Sequence, residues 1–294
     1  MYTPEEGMSA LPNAFLQKNF FGWNADVHLA NNIHYGIEIK SIEYVDEQEC
    51  GICGMVLIED QATVHVKGMN TFTGSPVCFH GDAVIVTVPL TILRQLDFHP
   101  PLPMEKQKAI AGFSYLPSTK ILLQFRTKFW RKSGIHGGRS ITNTPVGQII
   151  YLDYPESEER EDAGGMVLCY TWGQDALILG SQTEEQVIAT ALSEVSKIHP
   201  EAKELFQYGR REGWFNEPRA QGAFAFLKPY EYIDNMHELI TPNHPVYLAG
   251  EAISWTNGWI QGALESGLRT AYQFFVHNEL DELRKRVSDW PDTN

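Results

Sequence analysis

The stretch that decides the fold lies toward the C-terminal end: "VYLAGEAISWTNGWIQGALESGLRTAYQFF", Val246 to Phe275. Val246 to Ala249 is an apolar run that reads as a buried strand, and Gly250-Glu251 stops it, putting a carboxylate where the chain leaves the core. A polar loop follows, and from Trp259 the pattern turns helical. Gly258, Gly262, Ala263, Ser266, Gly267 and Ala271 are expected to share one face of that helix, a face almost without side chains. Glycine costs a helix about 1 kcal/mol against alanine. Repeated small residues therefore call for a close neighbour, either another backbone or a flat ligand.

Outward from this stretch, the chain of 294 residues is 43% hydrophobic, enough for one large or two ordinary domains. Its 23 Lys and Arg against 37 Asp and Glu give a net charge of −14, which argues against nucleic acid and anionic membrane surfaces as partners. The expected partner is a small molecule. No apolar run approaches the roughly 20 residues of a membrane span. The opening "MYTPEEGMSALPNAF" has neither the basic start nor the apolar core of a signal peptide. The compartment is left unassigned.

Four cysteines, Cys50, Cys53, Cys78 and Cys169, are too few for a disulfide framework at this length. Cys50-Gly-Ile-Cys53 has the spacing of a redox pair or half a zinc site. It lies between strand-like runs rather than at a helix start, and no second Cys or His pair follows at suitable spacing, so no metal is expected.

Between Ile37 and Val66, "IEIKSIEYV", "GMVLIED" and "ATVHVKG" predict an antiparallel meander. Ala83 to Val88 is a continuous β-branched run ended by Pro89, read as a parallel strand covered on both faces. "HPPLPMEKQKAIAGF" gives a proline-rich turn and a short helix, and "STKILLQF" the next strand. Further strands are predicted at Gln148 to Leu152 and Met166 to Trp172. Thr183 with Gln186 is a capping-box pattern opening a helix from Glu184 to Ile198, with Val187, Ile188, Ala191, Leu192, Val195 and Ile198 as its apolar stripe. In "GIHGG" the two glycines after His136 predict a tight turn with positive φ, not a catalytic histidine. The fold class is mixed α/β and α+β, with the first and last segments sharing one domain and the middle inserted between them.

"GDAVIVTVPLTILRQLDFHPPLP", "STKILLQFRTKFW", "GIHGGRSITNTP", "VLCYTWGQDA" and "LAGE…NGWIQGALESGLRTA" occur in the order and rough spacing of the flavin-dependent amine oxidases. The chain resembles that family over nearly its whole length. "KFWRKSGIHGG" followed by the "YTW" strand is most similar to the L-amino-acid oxidases within it. The resemblance implies the second half of a two-dinucleotide-type FAD-binding fold. Residues 1–112 would be a partial FAD-binding domain, 113–239 an inserted sheet-plus-helix substrate-binding domain, 240–277 the final strand and helix of the FAD-binding domain, and 278–294 a tail. The family's opening strand, G-x-G-x-x-G turn and helix have no counterpart in these residues. The chain thus resembles a C-terminal portion, and the nucleotide-binding half and a substrate-gripping arginine are expected upstream.

By the same resemblance Glu251 accepts hydrogen bonds from cofactor hydroxyls, and Gly258 and Trp259, at the helix start beneath the flavin, contact both cofactor and substrate. Trp214 packs on the flavin edge and Ile39 meets the adenine through its backbone. Lys120, a charge inside the apolar strand "STKILLQF", is costly there unless exposed, paired or functional; the resemblance assigns it a catalytic water. Tyr170 and Trp172, alternate residues of one strand, share a face; the resemblance gives Tyr170 the substrate carboxylate, and Trp172 and Phe224 the side-chain pocket. With no cysteine between Trp214 and Tyr232, FAD would be held noncovalently. The implied reaction is oxidative deamination of an L-amino acid, large apolar or aromatic side chains favoured, to a 2-oxo acid, ammonia and hydrogen peroxide, with O2 as second substrate. The chain alone is expected to be inactive. Alternatives are a monoamine or polyamine oxidase, or a non-catalytic fragment or subunit that needs a flavin-binding partner. A missing N-terminal half or a homo-oligomer completes the expected partners, and family members are often secreted.

Overall fold

The computed structural model describes residues 8–16, 29–45, 63–152 and 164–278. The run "GMVLIED" and the pair Cys50 and Cys53 lie outside the described residues. In chain order the elements are α1 (Ala10–Ala14), β1 (Ile37–Tyr44), β2 (Val64–Asn70), β3 (Pro76–Gly81), β4 (Val84–Val86), α2 (Leu90–Leu93), β5 (Asp97–His99) and α3 (Met104–Gly112). They continue with β6 (Ser118–Phe125), β7 (Arg139–Ile141), β8 (Gln148–Leu152), β9 (Gly165–Trp172), α4 (Gly173–Gly180) and α5 (Glu184–Ile198). The last are α6 (Ala202–Leu205), β10 (Phe206–Gly213), α7 (Glu231–Ile240), β11 (Val246–Leu248) and α8 (Ile260–His277). No helix of the described residues is long and apolar enough to cross a membrane.

Two compact units share these elements, one formed by the described parts of Met1–Ile37, Lys120–Thr171 and Ser181–Glu212, the other by those of Glu38–Thr119, Trp172–Gly180 and Gly213–Asn294. The first is built on a five-stranded sheet of order β10-β6-β9-β8-β7. Strict alternation aims Ile121, Leu123 and Phe125 of β6 into the core with Val167 and Cys169 of β9, all 0% exposed. Burial pushes the Cys169 thiol up to about 12, so it behaves as a small apolar filler. Helix α5 starts on the expected capping box: Gln186 N–H donates to Thr183 Oγ1 at 3.3 Å and Thr183 N–H to Gln186 Oε1 at 3.1 Å. The stripe is narrower than predicted. Val187, Ala191 and Val195 are fully buried, whereas Ile198, in the last turn, is 46% exposed. Gly137 and Gly138 do take positive φ, +85° and +84°.

The second unit contains a four-stranded sheet of order β3-β2-β1-β5 and a separate parallel pair, β4 with β11. Strands β2 and β3 pair antiparallel, and a short edge strand that the sequence did not announce, β5, joins β1 in parallel with Ile42 opposite Phe98 and ends at Pro100 and Pro101. Strand β4 is also shorter and less covered than its β-branched run implied. Val86 is buried, but Ile85, on the opposite face by alternation, is 44% exposed, and Val88, beyond the end of the strand, is 36% exposed. Strand β11 is buried throughout, as expected. Ile42, Val64, Leu90, Phe113, Met236, Leu239, Val246 and Ile253 form the core, where α3 and α7 pack together. Lys106 of α3 is buried there at 3% exposure and donates to the Thr241 carbonyl.

The small-residue face of α8 divides in two. Gly262, Ser266 and Thr270 are the buried stripe, four residues apart. A Cβ on Gly262 would collide with the Thr256 carbonyl, and Ser266 Oγ accepts from Gly250 N–H at 2.9 Å. Gly267, expected on the same face, has nothing within 4 Å of a built Cβ and is exposed. At 100° per residue it points about a quarter-turn or more away from that stripe.

Candidate active site

Within the second unit, the end of β11 and the start of α8 enclose a cavity of about 380 Å³, within the size range of small-molecule sites. Gly250, at φ +142°, turns the chain out of β11. The loop that follows is tied to itself: Ser254 Oγ donates to the Glu251 carbonyl at 2.8 Å, and Asn257 Nδ2 donates to the carbonyls of Glu251 and Ala252 at 3.0 and 3.1 Å. Such closure holds the first turn of α8 against the cavity. No side chain caps that helix; its N-cap is Trp259, and Gly258, Trp259, Ile260 and Ala263 line the cavity. An uncapped N-terminus of an 18-residue helix presents oriented N–H groups and roughly half a positive charge.

The opposite walls come from three other segments. Phe224 presses on Gly258, where a Cβ would lie 2.6 Å from the phenyl ring and where φ is +77°, so only glycine fits both demands. Trp214 closes another side, and Leu90 with Tyr115 the base. Tyr115 Oη accepts from Leu90 N–H at 3.0 Å, and burial drives the phenol well above its usual range, keeping it neutral.

Five of the expected site residues thus meet at one cavity: Trp214, Phe224, Glu251, Gly258 and Trp259. Trp172 stands edge-on to Phe224 with ring centroids 6.5 Å apart. Ile39 lies on β1 of the four-stranded sheet, away from the cavity lining. Lys120 and Tyr170 belong to the other unit, on the less buried face of adjacent strands β6 and β9, where Lys120 Nζ sits 5.0 Å from the Tyr170 ring centroid. That contact answers the expense of a lysine in an apolar strand, since the ring face attracts the ammonium. Glu251 does something the sequence did not suggest: its carboxylate accepts backbone N–H groups of Ala225 and Gly258. Tyr115 and Leu90 were missed as wall residues. Leu90 follows the turn at Pro89, which says nothing about what the turn faces, and Tyr115 comes from a separate segment after α3.

A sequence model of the family described as "Flavin containing amine oxidoreductase" matches residues 1–273. The chain belongs to that family. Among curated members, an L-amino-acid oxidase of Siganus canaliculatus is 33% identical over 204 residues, 69% of this chain and 38% of the relative. An L-amino-acid oxidase of Bothrops atrox is 32% identical over 208 residues, 69% of this chain and 40% of the relative. The fold is shared with flavin amine oxidases of known structure. A putrescine oxidase triple mutant superposes with a TM-score of 0.65 at 17% identity over 82% of this chain and 48% of its own. Cyclohexylamine oxidase from Brevibacterium oxydans IH-35A gives 0.63 at 16% identity over the same shares. The chain spans about two fifths of the length of those curated relatives and about half of those structures.

Family membership implies a flavin. The cavity fits the ring-bearing end of one on three counts: apolar walls on which a flat ring can rest, an uncapped helix N-terminus suited to an anionic ring edge, and glycine at Gly258, where the backbone itself forms the wall.

Proposed function

We propose that the chain supplies the ring-binding and substrate-binding parts of an FAD-dependent L-amino-acid oxidase, which converts an L-amino acid with a large apolar or aromatic side chain to a 2-oxo acid, ammonia and hydrogen peroxide. The observation that carries this reading is the convergence of Trp214, Phe224, Gly258 and Trp259 on one cavity at the uncapped start of α8. The names of its relatives supply the substrate class. Bound there, a flavin supplies a two-electron acceptor for the substrate and a donor to O2.

The protein's own residues do the remaining work. Trp214, Glu251, Gly258 and Trp259, with the backbone of Ile39, hold the cofactor noncovalently, as no cysteine lies between Trp214 and Tyr232. Trp172 and Phe224 form an aromatic wall that excludes water and favours bulky apolar side chains. Tyr170 donates its hydroxyl to the substrate carboxylate, and Lys120 holds a water and its proton in place. In this reading residues 113–239 contain the substrate-binding domain, and residues 1–112 with 240–277 belong to the FAD-binding domain.

The test joins residues 1–294 to the dinucleotide-binding segment of a family member, loads FAD, and measures peroxide release from matched pairs of L-amino acids and their decarboxylated amines. Peroxide from phenylalanine and leucine, with little from phenethylamine, is expected. Turnover of the amines alone would make the protein an amine oxidase and overturn the reading. Residues 1–294 expressed alone should purify without stoichiometric FAD, because they contain no G-x-G-x-x-G turn to hold the pyrophosphate.

A further inference from the structure

The hairpin β2–β3 carries a group of side chains that the oxidase reading leaves unused. On β2, Val64 points into the core, so alternation sends His65 and Lys67 to the opposite face. On β3 the same alternation puts Cys78 and His80 on that face. The register sets His65 directly across from His80, and Cys78 across from Lys67. The two imidazoles meet edge to face with centroids 4.6 Å apart. One ligand atom from each of His65, Cys78 and His80 lies within 4.8 Å of the other two.

We propose that His65, Cys78 and His80 bind a borderline-soft divalent transition metal, Zn2+ being the type, with water in the fourth position. Two imidazole nitrogens and a thiolate are a donor set that suits zinc and disfavours Mg2+ or Ca2+. Tetrahedral bond lengths place such donors about 3.3–3.6 Å apart. The cluster therefore needs a contraction of roughly 1 Å, within the reach of exposed χ rotations on a hairpin. Cys78 and His80 are exposed and His65 half-buried, so a metal has an open approach. The neighbouring cation does not forbid it: the Lys67 ammonium is 2.6 Å from the Glu43 carboxylate, which balances its charge. Strand β3 ends the order of its sheet among the described residues, so the ion would clamp an outer strand to its neighbour.

No pair spacing in the sequence announces this site. His65 and His80 are fifteen residues apart by number, and only the hairpin register brings them opposite one another.

The experiment uses the 294-residue chain with Cys50 and Cys53, which lie outside the described residues, replaced by serine, so that exposed thiolate chemistry reports on Cys78. Zn2+ binding is followed by calorimetry, and Co2+ by its thiolate-to-metal charge-transfer absorption in the near ultraviolet. One saturable Zn2+ per chain is expected, with proton release as the thiol ionises. Cys78→Ser and His80→Ala should each weaken it about tenfold or more, and Cys78→Ser should abolish the cobalt band. Cys78→His should restore affinity without the band, a pattern that mere loss of folding cannot produce. Unchanged affinity in Cys78→Ser and His80→Ala, or no saturable Zn2+ uptake by the parent, would overturn the proposal.

Discussion

The Glu251 carboxylate accepts the backbone N–H of Gly258 at 2.6 Å with one oxygen and that of Ala225 at 3.1 Å with the other. One side chain thus fixes the loop before α8 and the segment carrying Phe224, the two walls that meet across Gly258. A carboxylate is suited to this because each oxygen keeps a second lone pair after accepting one backbone donor.

Glu251→Ala should therefore loosen both walls. Hydrogen bonds to a charged group contribute about 1.5–3 kcal/mol each, and partial exposure lowers that, so a loss of about 2–4 kcal/mol in urea unfolding is expected. Glu251→Gln, which keeps one acceptor, should lose about half as much. A loss under about 0.5 kcal/mol in the alanine variant would show that the loops hold themselves.

Glycines of α8 should respond in opposite directions. Gly262→Ala drives a methyl into the Thr256 carbonyl and should destabilise by about 1–3 kcal/mol. Gly267→Ala meets nothing within 4 Å and should stabilise by about 0.5–1 kcal/mol through helix propensity. Thermal unfolding of the two variants side by side checks this, and equal effects would contradict the division of the face.

Gly258→Ala combines a positive φ of +77° with a contact on Phe224. A cost of about 1–3 kcal/mol is expected. Adding Phe224→Leu should recover the part due to the clash but not the part due to φ. A double-mutant cycle separates them, and an additive cycle would mean that Phe224 yields freely.

Burial pushes the Lys106 ammonium down to about 8, with Glu238 opposing. Between about pH 8 and the ordinary lysine value near 10.4, the unfolded chain binds more protons than the folded one, so this lysine's contribution to stability rises with pH, by at most about 1.4 kcal/mol per unit. Below pH 8 the contribution is flat and unfavourable. The difference in unfolding free energy between the wild type and Lys106→Met should follow that course. Parallel pH profiles for the two proteins would remove Lys106 as the cause.

In the flavin-loaded protein, Tyr170→Phe keeps the ring beneath Lys120 Nζ but removes the hydroxyl. Amino-acid binding should weaken by about 1.5–3 kcal/mol, read from KM or a competitive acid, while the matched amine is unaffected. Equal losses for acid and amine would take Tyr170 out of carboxylate recognition.

What the chain's own order of residues determined is local. The apolar run at Val246, the stop at Gly250, the capping box at Thr183 and the alternation around Lys120 and Tyr170 follow from backbone geometry and side-chain period, which act over a few residues. The motifs likewise carried the family resemblance, because they are short and contiguous. What only the tertiary structure decided are the meetings between segments distant in sequence: β5 beside β1, Phe224 against Gly258, Glu251 turned to Ala225, and His65 across from His80. It also decided that Gly262 packs while Gly267 faces outward. A period says which residues share a face, but which face is buried depends on the surface brought against it, and that surface is contributed by chain far away in sequence.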